Sequence, residues 1–232
     1  LLLLWQAASP RGKLRLPLGH IFRIHKDELL HIIKIGYPMS IDGVYWQAAR
    51  VAFTMIFNAM GSSAYAAYTI VRNLKGMALL PSQGLQAATM ITVGQSLGRA
   101  HFTVARIKAK IGLRMSLAIM ALPALAVIAA AGPLTGLYHV TEATFQATVI
   151  CTMIMGVSIF FTTVNSVLPG VLRSGGDTAV VMRITLLSFL LFGGPMAFLF
   201  GIVFQWGVVG AFVGVSLEEA VKSVLFWKRY QK

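Results

Sequence analysis

Asp42, Trp46 and Arg50 follow one another at i, i+4 and i+8, a spacing that sets three side chains near one face of a helix. Arg72 and Lys75 stand at i, i+3, and Gln86 carries on that face some turns later. All of them interrupt long apolar runs, where an ionised group is costly unless it faces a protein interior or a wet cavity. Two chemistries fit this pattern. In one, a polar cavity lets Asp42 bind a proton or a coupling cation while Arg50, Arg72 and Lys75 attract a substrate. In the other, the charges are structural, and one of these three bases neutralises Asp42. Glu218 and Glu219, with Lys222 at i+4 from Glu218, read as a local pairing that can also snorkel towards an interface.

Enzyme chemistry has no comparable support. There is no phosphate-binding glycine loop, no His-Glu-x-x-His and no nucleophile elbow, and Gly175-Gly176-Asp177 lacks the Lys-Ser/Thr of a P-loop. Cys151 is the one cysteine, so no disulfide forms within the chain, and its apolar setting reads as a small buried hydrophobe. His20, His25 and His31 share a basic stretch but not a ligand spacing. Neither a metal nor a prosthetic cofactor is expected.

The elements that must position these residues are set by composition. The 232-residue chain is 57% hydrophobic and 12% charged, against about 25% charged in an average soluble domain. Its mean hydropathy is +0.76. The net charge of +13 would suit nucleic acid, but the cations sit in short gaps between apolar runs rather than on one wet face, so no nucleic-acid partner is expected. A bilayer core roughly 30 Å thick needs about 20 mostly apolar helical residues. Such stretches recur at 35–60, 63–95, 112–133, 147–172, 184–204 and 207–227. They are too long for strands and do not alternate as barrel strands must. The class expected is therefore all-α: a polytopic membrane protein with a six-helix transmembrane lobe over 35–228.

Flanking charge orients that lobe. Arg11, Lys13, Arg15, Arg23, Lys26 and Lys34 lead it, Arg99, Arg106, Lys108, Lys110 and Arg114 fill the second gap, and Arg173 and Arg183 lie in the fourth. Lys228, Arg229 and Lys232 close it, and the alternate gaps hold no Lys or Arg. The positive-inside rule puts both ends in the cytoplasm, with 229–232 as a cytoplasmic tail. Residues 1–34 read as the end of a preceding helix, Leu1-Leu2-Leu3-Leu4-Trp5, followed by a cytoplasmic connector over 9–34 with amphipathic character. If the first two spans are antiparallel neighbours, Arg50 lies at the depth of Arg72 and Lys75, with Asp42 about two turns nearer the cytoplasm.

Several ordered segments carry a resemblance. They are Ile35-Gly36-Tyr37-Pro38, Ala64-Tyr65-Ala66-Ala67-Tyr68-Thr69-Ile70, Val93-Gly94-Gln95-Ser96-Leu97-Gly98, Leu172-Arg173-Ser174-Gly175-Gly176-Asp177-Thr178 and Gly207-Val208-Val209-Gly210-Ala211. Taken together, over about residues 30–228, they resemble the second half of transporters of the multidrug and toxin extrusion (MATE) family. The resemblance implies a twelve-helix, two-lobe transporter in the plasma (inner) membrane that exports cationic or amphipathic compounds by alternating access. It further implies that exchange is driven by an H+ or Na+ gradient, and that this chain is the C-terminal half. The partners implied are an N-terminal six-helix half, the lipid bilayer and a small-molecule substrate.

Asp42 is then the ion-coupling candidate, and Trp46, Gln47, Arg50, Arg72, Lys75 and Gln86 are the substrate-cavity candidates. Many members carry one acid in the seventh helix and another in the tenth. Here Asp42 lies about one turn before the usual seventh-helix position, where Trp46 and Gln47 stand, and 147–172 holds no acid. That departure argues against sodium coupling through an acidic pair, and the excess of interior cations admits an anionic substrate. Two other readings stay open: a lipid-linked-sugar flippase of the same superfamily, and a membrane scaffold or enzyme subunit without transport activity.

Overall fold

A computed structural model describes residues 26–138 and 141–231, and every regular element among them is helical. In chain order these are α1 (Lys26–Ala59), α2 (Ser62–Ala78), α3 (Leu80–Gly98), α4 (Phe102–Ala129), a short α5 (Ala131–Gly136) and α6 (Glu142–Ser174). Next comes α7 (Thr178–Ser188), prolonged through a π-helical turn Phe189–Gly193, α8 (Gly194–Phe198) and a second π-helical turn Leu199–Val203. The last helix, α9, spans Gly207–Gln231. The charged residues of interest all lie in the compact unit that begins at Met39. The leading Leu1–Trp5 segment and the connector up to residue 25 lie outside the described residues.

Three stretches are long and apolar enough to cross a membrane: Phe102–Ala129, Thr144–Ser174 and Thr178–Val203. The remaining columns differ from the uniform spans the sequence suggests, through a proline break in one and interior ionisable residues in others. The stretch expected at 63–95 is broken at Leu79, where Pro81 sits in the first turn of α3 and gives up a backbone donor that a continuous helix would need. Its first half, α2, is 17 residues long and carries Arg72 and Lys75. Three ionisable residues, Glu218, Glu219 and Lys222, lie in the middle of α9.

Burial runs opposite to a soluble core. Leu122, Leu125, Leu80 and Met77 are each more than 60% exposed, whereas Ser116, Thr148, Thr152 and Thr163 are fully buried. The three buried threonine hydroxyls find partners within their own helix, Thr148 donating to the Thr144 carbonyl at 2.6 Å, Thr152 to that of Thr148 at 2.8 Å and Thr163 to that of Ile159 at 2.8 Å, whereas the Ser116 hydroxyl has no partner among the described residues. Along α4 the buried positions Ala105, Ala109, Leu113, Ser116, Met120, Ala124 and Val127 repeat every three or four residues, one seam of mostly small side chains. Small residues let membrane helices approach closely. A Cβ on Gly112 would collide with Thr89, and one on Gly156 with Ile128.

The central element is α6, which packs against α2, α3, α4 and α9. On one side of it Phe57, Tyr68, Met155 and Phe212 form a core in which the Phe57 and Tyr68 rings stack at 4.3 Å. Cys151 is wholly buried in the same core. On the other side Leu113, Leu168, Val181 and Phe226 form a second core.

Two of the short motifs acquire physical causes. After α6 the Asp177 amide donates to the Leu172 carbonyl at 3.0 Å, across Gly176 at φ +89°, a conformation that side chains disfavour. The Asp177 carboxylate then accepts from the Arg229 Nε and Nη2 at 2.9 and 2.6 Å, fixing the turn to α9. Ser174 donates to the Met90 carbonyl at 3.0 Å beside Gly94, which ties this turn to the Val93–Gly98 motif.

Candidate functional site: a charged cavity wall between α1, α2, α6 and α9

The site begins with how closely α9 can approach its neighbours. Gly210 and Gly214 face the backbone of Phe200 and of Met196–Ala197, so near that a Cβ at Gly214 would lie 2.6 Å from the Ala197 nitrogen. With α9 seated there, Glu218, Glu219 and Lys222 are 5%, 6% and 2% exposed. Snorkelling is thereby ruled out for them, and they are held by pairing instead.

Lys222 donates to the Glu218 Oε1 at 2.7 Å and lies 3.9 Å from the Glu219 Oε2. The other Glu219 oxygen is 3.7 Å from the Lys75 Nζ on α2. Asn165 on α6 donates through its Nδ2 to the Glu219 Oε2 at 2.6 Å and to the Glu219 carbonyl at 2.9 Å. The Trp46 ring on α1 lies 4.9 Å from the Lys222 Nζ, within range of a cation–π attraction. Four helices thus meet at one buried polar knot.

Asp42 is paired, but not with Arg50, Arg72 or Lys75, the partners its spacing suggests. Its Oδ2 accepts from the Arg173 Nη2 at 2.6 Å, while its Oδ1 is buried with no hydrogen-bond partner among the described residues. Arg173, which the charge pattern assigns to a cytoplasmic gap, is carried in the last turn of α6, which runs on to Ser174. Among the described residues, three buried carboxylates (Asp42, Glu218, Glu219) pair with three cations (Lys75, Arg173, Lys222).

Beside the knot lies an open cavity of about 840 Å³. Trp46, Arg50, Arg72 and Lys75 line it with Glu219, so four of the seven candidate residues share one wall. Arg72 stacks over the Tyr68 ring at 5.5 Å. Gln86 is not on that wall. It lines a separate space of about 160 Å³ with Trp46, Asn165, Arg173 and Lys222, beyond the helix break at Leu79. Gln47 is exposed and lines neither space. One hundred degrees per residue carries it off the face of Trp46.

Sequence reasoning misses Arg173 and Asn165. Asn165 is a lone amide inside the acid-free 147–172 run, and the rule that flags interior charges finds it only if extended to amides.

Comparison with known proteins bears on the fold and the family. A family model described as MatE matches residues 38–199. The "Uncharacterized transporter YisQ" of Bacillus subtilis (strain 168) is 24% identical over 226 residues, covering 96% of this chain and 49% of the relative. The "Probable multidrug resistance protein NorM" of Thermotoga maritima is 25% identical over 196 residues, covering 84% of this chain and 42% of the relative. A solved structure described as "Crystal structure of MATE in the bent conformation" superposes with a TM-score of 0.87 at 14% identity, over 98% of this chain and 50% of the other. That likeness is one of fold. The chain spans about half the length of the curated relatives it matches.

Proposed function

Because this chain belongs to the MatE family, we propose that it forms one six-helix lobe of a secondary efflux transporter. The whole exchanges an organic compound for H+ or Na+ by alternating access, with an N-terminal six-helix half supplying the facing wall. The observation that carries this reading is the cavity of about 840 Å³ on the α1–α2–α6–α9 wall, with ionised side chains turned into it rather than into the lipid. The multidrug-resistance name of one relative and the half-length match support export and a second lobe. Trp46, Arg50, Arg72 and Lys75 form this lobe's substrate wall, and Asp42 is the coupling group, with Arg173 as the cation it exchanges during the cycle.

The test is dye export from cells or proteoliposomes holding this chain with its complementary half, under an imposed proton or sodium gradient. One of the two gradients is expected to accelerate export, and the ion that does so is the coupling ion. Equal rates with and without both gradients would count against exchange. Arg50 and Arg72, which have no carboxylate partner among the described residues, favour one second reading, a flippase for lipid-linked sugars, whose pyrophosphate suits a cationic wall.

The lobe is expected to lie in the plasma membrane with both ends cytoplasmic. For cysteine labelling, Ser62, Thr141 and Gln205 are exposed reporters for the outer side, and His101 and Gly175 for the inner. Cys151 is fully buried and gives little background. An impermeant thiol reagent applied to intact cells should label the first three positions and neither of the last two. Labelling at His101 from outside would reverse the orientation.

A further inference from the structure

We propose that the cavity selects an amphipathic anion: an aromatic or aliphatic body carrying one carboxylate, sulfonate or phosphate group, drawn in by Arg50 and Arg72. This rests on the transporter reading only for the cavity's place in a substrate path. The charge balance around the cavity carries the inference. Among the described residues Glu219 is the only acid on the wall, and it is already engaged by Lys75 at 3.7 Å, Lys222 at 3.9 Å and the Asn165 amide at 2.6 Å. Its neighbour Glu218 is held by Lys222 at 2.7 Å. A cationic ligand would have to displace these buried partners, and doing so strands a lysine in a dry interior.

Arg50 and Arg72, by contrast, line the same space and make no ion pair with any described residue. Both are exposed to the cavity, so their positive charge is available to an occupant. Guanidinium groups hydrate weakly and match the planar geometry of carboxylate and phosphate oxygens. The rest of the wall supplies the apolar half of the recognition, through the accessible side chains of Trp46, Phe53 and Leu79. About 840 Å³ lies within the range of drug-sized pockets.

The experiment measures equilibrium binding, without any gradient, to this chain co-assembled with its complementary half in lipid nanodiscs. Dansylglycine and dansylcadaverine share one fluorophore and carry opposite charge. Dansylglycine is expected to bind about tenfold tighter or more, and R50Q/R72Q is expected to weaken it by about tenfold per arginine while circular dichroism stays unchanged. R50K/R72K, which keeps the charge, should retain the preference for the anion. The comparison of the two probes needs no variant and stands if the double substitution fails to fold.

Tighter or equal binding of dansylcadaverine would overturn the proposal, as would unchanged dansylglycine affinity in a folded R50Q/R72Q protein. Displacement by inorganic phosphate as readily as by a naphthalene sulfonate would also overturn it, because the apolar wall would then contribute nothing. A naphthalene sulfonate and a prenyl diphosphate both support the anionic site if they displace the probe. Whichever acts at the lower concentration distinguishes a free organic anion from a lipid-linked one. Failed gradient-driven export with intact anion selectivity counts against the transporter; export of cations without anion selectivity counts against this site alone.

Discussion

Lys222→Met is expected to remove most folded protein from the membrane fraction. Lys222 is 2% exposed and, among the described residues, is the cation that lies within 4 Å of both Glu218 and Glu219, at 2.7 and 3.9 Å. Without it, adjacent carboxylates stay buried with only Lys75 close to one of them, at 3.7 Å. Removing one partner of a buried pair costs about 3–5 kcal/mol, a large part of the roughly 5–15 kcal/mol that holds a domain together. Replacing the second charge as well should reverse much of the loss, since a neutral amide beside a methionine leaves one fewer ion unpaired. Fluorescence-detected gel filtration and a thermal midpoint on wild type, Lys222→Met, Glu218→Gln and the double variant measure both effects. Wild-type levels in Lys222→Met, or additive losses in the double variant, would mean that the knot is not a coupled ionic cluster.

The Asp42–Arg173 pair should respond asymmetrically. The Asp42 side chain is 8% exposed and that of Arg173 is 21% exposed, at a helix end. Arg173→Gln strands a carboxylate in the interior and is expected to cost about 3 kcal/mol. Asp42→Asn leaves a guanidinium that can reach water, so the loss should be nearer to about 1 kcal/mol. Acidification should shrink the Arg173→Gln penalty, because a protonated carboxyl brings no buried charge. Export separates coupling from scaffolding: Asp42→Asn is expected to lower gradient-driven export at least about tenfold while most of the protein remains folded, as loss of a proton- or cation-binding group requires. Equal stability losses at the two positions would contradict the burial difference. Normal export by Asp42→Asn under an imposed gradient would remove Asp42 from coupling altogether.

The all-α membrane class is legible from charge scarcity and run length, since a bilayer leaves few alternatives for backbone hydrogen bonds. Cavity-facing residues are legible where helical spacing alone decides, as for Arg72 and Lys75 on unbroken α2. Legibility ends where the chain leaves that spacing. Pro81 is visible in the sequence, but not that Gln86, beyond the helix break, lines a different space from Arg72. The π-helical turns at Phe189–Gly193 and Leu199–Val203 are as apolar as the helices around them and leave no mark in hydropathy. Partner choice is the least legible feature. Asp42 and Arg173 stand 131 positions apart, and nothing local distinguishes Arg173 from the loop cations that orient the lobe. Glu219 likewise reads as the neighbour of Lys222, while its contacts with Lys75 and Asn165 come from helices far away in the chain.

Export by the separate parts is the measurement closest to the central claim. Cells loaded with a fluorescent substrate would carry residues 1–232 alone, the complementary six-helix half alone, both together, or neither, with membrane levels matched by immunoblot. The wall of Trp46, Arg50, Arg72 and Lys75 is open on one side, so a lobe by itself offers a binding face but no closed path. Export is expected only when both halves are present, and it should fall when the driving gradient is collapsed. Gradient-driven export by residues 1–232 alone, at a rate matching the pair, would contradict the two-lobe account.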